Sequence, residues 1–349
     1  MSISLEELRL AARNHAMPLE ALRYPVTPVG LHYLLIHYDI PVVDPGTYRL
    51  EVDGLVRTPL SLSLDDLRAR PAVELPVTME CAGNGRALLE PHVTSQPWVL
   101  EAVSTAAWRG VPLRGLLAEA GVEDGVVEAV FTGLDHGFEG EHELDYERSL
   151  SLIDLHRPEV LLAYEMNGAP LPLQHGYPLR LVVPGWYGMT SVKWLGRITL
   201  VDQPFEGYQQ SHSYRLRRSE DDPGEPLSRM RPRALMAPPG VPEFATRSRV
   251  VRAGAHVLEG RAWSGLGEIQ AVDVSVDGGT TWAGADLDDD LASPWAWRRW
   301  THSWDATPGE HELCCRARDE AGNEQPLEPA WNLGGYANNA VQRVAVTVQ

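Results

Sequence analysis

The segment Met79-Glu80-Cys81-Ala82-Gly83-Asn84-Gly85-Arg86 places a cysteine inside a turn-forming context. A thiolate is a soft metal ligand. Two glycines around an asparagine allow positive φ and a tight turn, and such a turn can aim backbone N–H groups at an anion. Arg86 adds a fixed positive charge that favours the thiolate at Cys81. The plain structural reading is that Cys81 is a small buried hydrophobe in a turn, and this segment alone leaves both readings open. A second cluster runs from His175-Gly176-Tyr177-Pro178-Leu179-Arg180 to Ser191-Val192-Lys193-Trp194-Leu195. Here His175, Arg180, Ser191 and Lys193 are spaced through apolar runs. Buried charges demand partners, and a bound anion such as phosphate is a natural one. Lys193 is the single lysine in a chain that otherwise uses arginine. An ammonium differs from a guanidinium in shape and donor geometry.

Other chemistries find less support. There is no CxxC and no HExxH to hold zinc. His136 and His142 flank a glycine-rich acidic loop and are weak candidates for metal ligands. The run Asp286-Leu287-Asp288-Asp289-Asp290 lacks the glycine and distal glutamate of an EF-hand and reads as a solvated loop. No P-loop and no strand-linked GxGxxG occurs, and nothing orients a Cys-His protease pair. Of the three cysteines, Cys314 and Cys315 are adjacent and Cys81 is remote, so there is no disulfide framework.

The chain has 349 residues, a formal net charge of −18 and 44% apolar residues. That length suits two domains. The acidic balance argues against nucleic acid and against an anionic membrane surface, because both need clustered Lys and Arg. A small anionic substrate needs only a local basic pocket. The N-terminal stretch is amphipathic and charged, with no apolar signal core and no twin arginine. No run of apolar residues is long enough to cross a bilayer. The expectation is a soluble, cytoplasmic protein.

Periodicity supplies the elements. Residues 1–25 read as a short helix ended by Pro25. Alternation predicts strands at Tyr48–Gly54 and Val73–Met79, and continuous apolar runs predict buried strands at Val126–Thr132 and Arg180–Val183. Ser63 and Asp66 mark a capped helix start, and Leu113–Ala120 reads as a helix closed by Gly121. Residues 219–242, rich in Pro, Gly and charge, read as a linker or surface crossover. Beyond it, Val272–Val276 and His311–Arg318 alternate, with turns at Asp277-Gly278-Gly279 and Asp319–Asn323. This predicts an α+β domain over 1–225 and a small β-sandwich over 226–349.

Taken together, these segments resemble the sulfite oxidase family. Cys81-Ala82-Gly83-Asn84 is similar to its molybdenum-binding loop. Leu162–Gly168, His175–Arg180 and Ser191–Leu195 are similar to its cofactor signature, and Trp331-Asn332-Leu333 to the closing segment of its dimerisation domain. The resemblance implies a molybdopterin-binding catalytic domain followed by an immunoglobulin-like dimerisation domain. It implies a molybdenum-molybdopterin cofactor with Cys81 as the sole protein ligand to the metal. His37, Asn84, His175, Arg180, Ser191 and Lys193 are its implied cofactor contacts; Tyr214, Arg86 and Trp98 join Cys81 as implied catalytic residues. No haem segment is expected, so electrons would pass to a separate acceptor such as a cytochrome. The implied reaction is oxygen-atom transfer, with oxidation of sulfite to sulfate as the default. Two departures bear on substrate: Leu35 and Gly334 stand where the family places pocket arginines. Each charge-assisted hydrogen bond contributes about 1.5–3 kcal/mol, so a less charged S-oxide or N-oxide is the other expectation. A non-catalytic assembly module is the expectation from a different class.

Overall fold

The computed structural model describes residues 3–288 and 290–349. Its first part is built on two sheets. One has the order Leu60–Leu62, Leu50–Gly54, Leu195–Val201, Glu128–Glu139, His142–Ser151. Leu50–Gly54 and Leu195–Val201 run parallel, and the remaining pairs are antiparallel. The other sheet lines up Val73–Glu80, Val103–Pro112, Leu161–Met166 and Ala169–Pro170, with Arg180–Val182 also paired to Leu161–Met166. The described helices are short and few beside these sheets. The second part is a sandwich of two sheets. A four-stranded sheet contains Arg233–Met236, Gly254–Trp263, Arg298–Ala306 and Asp286–Asp288; a six-stranded sheet is centred on Gln342–Val348, Gly309–Asp319 and Ile269–Ser275.

Local chemistry accounts for most of the element ends. Ser63 and Asp66 form the reciprocal capping box expected of them at Leu64–Arg68. Leu113–Ala120 closes on Gly121 at φ +71°, a conformation glycine adopts without a Cβ penalty. Leu161–Met166 is buried on both faces: Leu162 and Tyr164 enter the core between the two sheets, whereas Leu161 and Ala163 enter a separate cluster with Trp108 and Cys81. A continuous apolar run is the signature of such a strand.

Two expectations need correction. The N-terminal helix spans only Leu5–Arg13, and a separate 3-10 turn covers Leu19–Arg23 after Pro18. His15 exchanges backbone hydrogen bonds with Leu34 instead of continuing the helix. The stretch 219–242 is also more than a linker. Arg233–Met236 is a fully buried strand antiparallel to Gly254–Trp263. Prolines and charges on its flanks hide the apolar run Ala234-Leu235-Met236, which a sandwich edge takes in.

The alternation of Val73–Glu80 decides how the two parts join. Val77 and Met79 face the cluster that contains Cys81. Thr78 and Glu80, on the opposite face, are used by the sandwich. Thr78 Oγ1 accepts from the Trp297 backbone N–H at 2.7 Å. Glu80 accepts from Arg233 Nη1 at 2.7 Å and from Trp263 Nε1 at 2.9 Å. Glu80 and Arg233 are 2% and 1% exposed, so this ion pair is dry. Removing one partner of such a pair leaves a buried charge and costs about 3–5 kcal/mol. Arg233→Met is therefore expected to lower unfolding free energy by about that amount. Urea denaturation of the full chain checks it; a loss below about 1 kcal/mol would show that the pair does not hold the two parts together.

Candidate active site

Cys81 directly follows the strand Val73–Glu80, on the same side as Val77 and Met79. Its N–H donates to Ala102 O at 2.9 Å, and its carbonyl accepts from Asn84 N at 3.0 Å. Gly85 has φ +90°. Asn338, from the sandwich part, caps the turn by donating to Gly85 O at 2.8 Å. The turn is thus closed by its own backbone and clamped from the other half of the molecule.

Cys81 stands where two cavities meet. The first is lined by His37, His175, Arg180, Ser191 and Lys193, together with Cys81 and Tyr214. The second takes in Arg86, Trp98, Tyr336 and Glu139, again with Cys81, His37 and Tyr214. Four of the five cofactor candidates in the first cavity come from residues 175–193, and His37 joins them from the N-terminal part of the chain.

The first cavity is basic and poorly self-satisfied. Arg180 is buried and donates only to main-chain carbonyls of His175 (3.0 Å) and Ser191 (3.1 Å) and to Met79 Sδ at 3.6 Å, over the Trp108 ring. Its Nε has no partner, nor do His175 Nε2 and His32 Nε2. Lys193 Nζ reaches Leu35 O at 2.7 Å, and burial with the nearby Arg180 pushes its pKa down to about 7. Asp135 is the carboxylate that opposes this charge. It is presented by a bulge in which Gly133, Leu134 and Asp135 face Tyr146 alone across the hairpin. Burial raises Asp135 to about 6. Two cations beside one cavity, with the buried Arg180 Nε–H unpartnered, suit an anionic ligand carrying several acceptors. The residues present therefore fit a phosphate-bearing pterin.

The second cavity holds the expected catalytic residues. Tyr214 has φ +47°, a strained conformation for a bulky residue and one that clusters at functional sites. Its hydroxyl is buried, which keeps it protonated well above the usual range. Burial also raises the Cys81 thiol; Arg86, the Gly83 N–H and Trp98 oppose that effect without outweighing it. Arg86 thus favours the thiolate, as expected, but desolvation outweighs it, and a bound cation would supply the difference. No cluster of three or more His, Cys, Asp or Glu that could hold a metal exists among the described residues. His136 instead pairs with Asp145 at 2.7 Å and Glu143 at 3.0 Å. In the acidic run, Asp289 lies outside the described residues, and Asp290 pairs with Arg261 at 2.6 Å.

With this geometry in view, the comparisons are direct. Residues 37–209 match the oxidoreductase molybdopterin binding domain, and residues 242–349 match the Mo-co oxidoreductase dimerisation domain. Sulfite oxidase of Gallus gallus is 38% identical, with 91% of this chain and 72% of that protein covered. The chain belongs to the sulfite oxidase family of molybdopterin-dependent oxidoreductases. Mitochondrial sulfite oxidase of Homo sapiens is 40% identical over 93% of this chain, which spans 62% of that protein's length. The crystal structure of the sulfane dehydrogenase SoxCD from Paracoccus pantotrophus superposes with a TM-score of 0.82 at 30% identity, covering 96% of this chain and 86% of that one.

Within this family fold, Asn84 and Gly334 take other places. Asn84 lines neither cavity; its side chain is spent on Glu80, Leu100 and Ala102, and it shapes the loop. Gly334 is not a pocket position either: a Cβ there would lie 2.3 Å from the Tyr336 ring, and its carbonyl accepts from Arg86 Nε at 2.9 Å. Arg86 itself is 5% exposed, bonded inward and stacked over Tyr336 at 4.9 Å. Sequence reasoning missed His32, Asp135, Glu139 and Tyr336. For His32 the only available signal was a histidine three residues before Leu35.

Burial holds His32 at about 3 and His175 at about 2, so both imidazoles are neutral when folded. Unfolded, each gains a proton below about 6.5. The unfolded state then binds more protons, and stability falls as pH drops, by about 1.4 kcal/mol per pH unit per histidine. In cofactor-free protein, His32→Phe is expected to flatten the stability slope between pH 6 and 5 by about that amount. Unfolding titrations at the two pH values measure it; an unchanged slope would mean His32 is not held neutral.

Proposed function

We propose that this chain is a molybdenum-dependent oxygen-atom-transfer oxidoreductase of the sulfite oxidase type. One observation carries this: a lone cysteine stands at the junction of a basic cavity and a second, mixed cavity. Molybdenum-molybdopterin, when bound, supplies the two-electron oxygen-atom chemistry. Cys81 would hold the metal. Arg180, Lys193 and Ser191 would hold the anionic end of the pterin, and neutral His175 would accept or donate one hydrogen bond without adding charge. The protonated Tyr214 hydroxyl would donate to an oxygen that gains negative charge. Trp98, opposite it, would exclude water from that position. The reference reaction is sulfite plus water giving sulfate, two protons and two electrons, the electrons leaving to a separate acceptor such as a cytochrome.

A specific observation favours a second reading. Leu35 is apolar and lines both cavities, and Arg86 is engaged inward. Reduction of a less charged S-oxide or N-oxide fits such a pocket: the oxide takes up two protons and two electrons and yields the reduced compound and water. The dimerisation domain would pair two copies of the chain in either case.

Protein purified from a molybdate-supplied host is expected to carry equimolar molybdenum and releasable pterin. Cys81→Ser is expected to abolish turnover while the fold persists by circular dichroism. Natively folded wild-type protein without molybdenum would defeat the proposal and favour a non-catalytic module.

A further inference from the structure

The second cavity has one feature that neither the motifs nor the family resemblance anticipates. The hairpin of Glu128–Glu139 and His142–Ser151 carries a carboxylate into its wall. Glu139 Oε1 lies 2.7 Å from His37 Nε2 and accepts from the Tyr38 hydroxyl at 3.1 Å and from the Gln209 amide. Gln209 also donates to Tyr38 Oη at 2.8 Å, so three elements fix the carboxylate in place. Burial works against its ionisation, yet the hydrogen bonds from His37 and Gln209 hold it below the ordinary carboxylate range. It is an anion at neutral pH.

The charge inventory of this cavity is short. Among its lining residues, Arg86, Glu139 and His37 are the members with acidic or basic side chains. Arg86 is turned toward Gly334 O and Gln96 O, at 2.9 and 3.3 Å. Glu139 cancels it, and a protonated His37 would restore no more than one positive charge. The rest of the wall includes Leu10, Leu35, Ile36 and Phe138. A dianion entering here would meet the repulsion of a carboxylate paired to His37 at 2.7 Å, apolar carbon, and the one guanidinium of Arg86, whose Nε and Nη1 are already bonded. Low effective dielectric makes that repulsion stronger than it would be in water.

We propose that Glu139 is a specificity-determining residue that makes this site select neutral or singly charged S-oxide or N-oxide substrates and reject doubly charged oxyanions. The inference rests on the reading of Cys81 as the metal ligand, because that reading makes this cavity the substrate side. Attractive contacts to the right substrate and repulsion of the wrong one both set specificity, and here the repulsive element is explicit.

Two probes of similar tetrahedral shape test it: sulfate, a dianion, and dimethyl sulfone, which is neutral. Binding is measured by titration calorimetry on molybdenum-loaded protein. Wild-type protein is expected to bind the sulfone at least as tightly as sulfate. In Glu139→Gln, the ratio of sulfate to sulfone dissociation constants is expected to fall on the order of tenfold or more. Glu139→Asp, which keeps the charge, is expected to stay near the wild-type ratio. Wild-type protein that prefers sulfate overturns the proposal even if Glu139→Gln fails to fold. An unchanged ratio in folded, loaded Glu139→Gln overturns it too. Molybdenum content separates the failures: loaded protein with the wrong preference sinks only this inference, whereas folded protein without metal sinks the reading beneath it as well.

Discussion

The carboxylate of Glu80 is the point on which the site depends. It is 2% exposed, and its two oxygens accept from Asn84, Arg233 and Trp263. Arg233 and Trp263 belong to the sandwich sheet, and Asn84 belongs to the loop that follows Cys81. One buried anion thus ties the cysteine turn to the second part of the molecule. A buried ion pair of this sort contributes less through net energy than through the penalty for breaking it. Its consequence is positional: the turn cannot shift without stranding a charge. Strand alternation then does the rest, because Glu80 turned toward the sandwich puts Cys81 toward the cavities. The sandwich is part of the active-site scaffold as well as a domain suited to pairing.

The two cavities differ in how they treat charge. Around the first, Arg180 is buried and Lys193 half-buried, with main-chain carbonyls as their chief partners. Such an arrangement is a stability liability that a bound anion relieves, which is the usual sign of a binding site rather than of a structural core. Around the second, the charges are few and mutually neutralised. The first cavity is built to retain a highly charged group permanently. The second offers no comparable excess of positive charge.

Much of this was legible from residue types and spacing. The Cys81 turn, the Ser63 capping box, the Gly121 helix end and the alternation of the sandwich strands all depend on neighbours within a few residues. The segments that line the first cavity were legible through resemblance, since no local rule brings His37 and Lys193 together. What stayed hidden is what tertiary contacts decide. Asp135 reaches the cavity because of a bulge whose extra residues no alternation rule assigns. Arg233 looked like part of a charged linker because its partner, Glu80, lies 153 residues away. Asn84 looked like a cofactor contact because it sits in the right motif, but its amide is consumed by the turn itself.

Tyr336 shows what the segment after Trp331 brings to the substrate side in place of the arginine that the family carries. Its ring lies under the Arg86 guanidinium and beside the Tyr214 ring, at 4.9 and 5.3 Å. A side chain at Gly334 would run into that ring. The segment after Trp331 therefore contributes an aromatic wall and a carbonyl acceptor where the resemblance places an arginine in other members. Arg86, held by this wall and by Gly334 O, stabilises the sulfur's surroundings more than it reaches outward. Positive charge in a pocket is useful to a substrate only if its donors are free to turn toward it. Here Arg86 already gives its Nε and Nη1 to main-chain carbonyls. Substrate charge must then be read from Glu139, His37 and the apolar residues around them rather than from the arginine count.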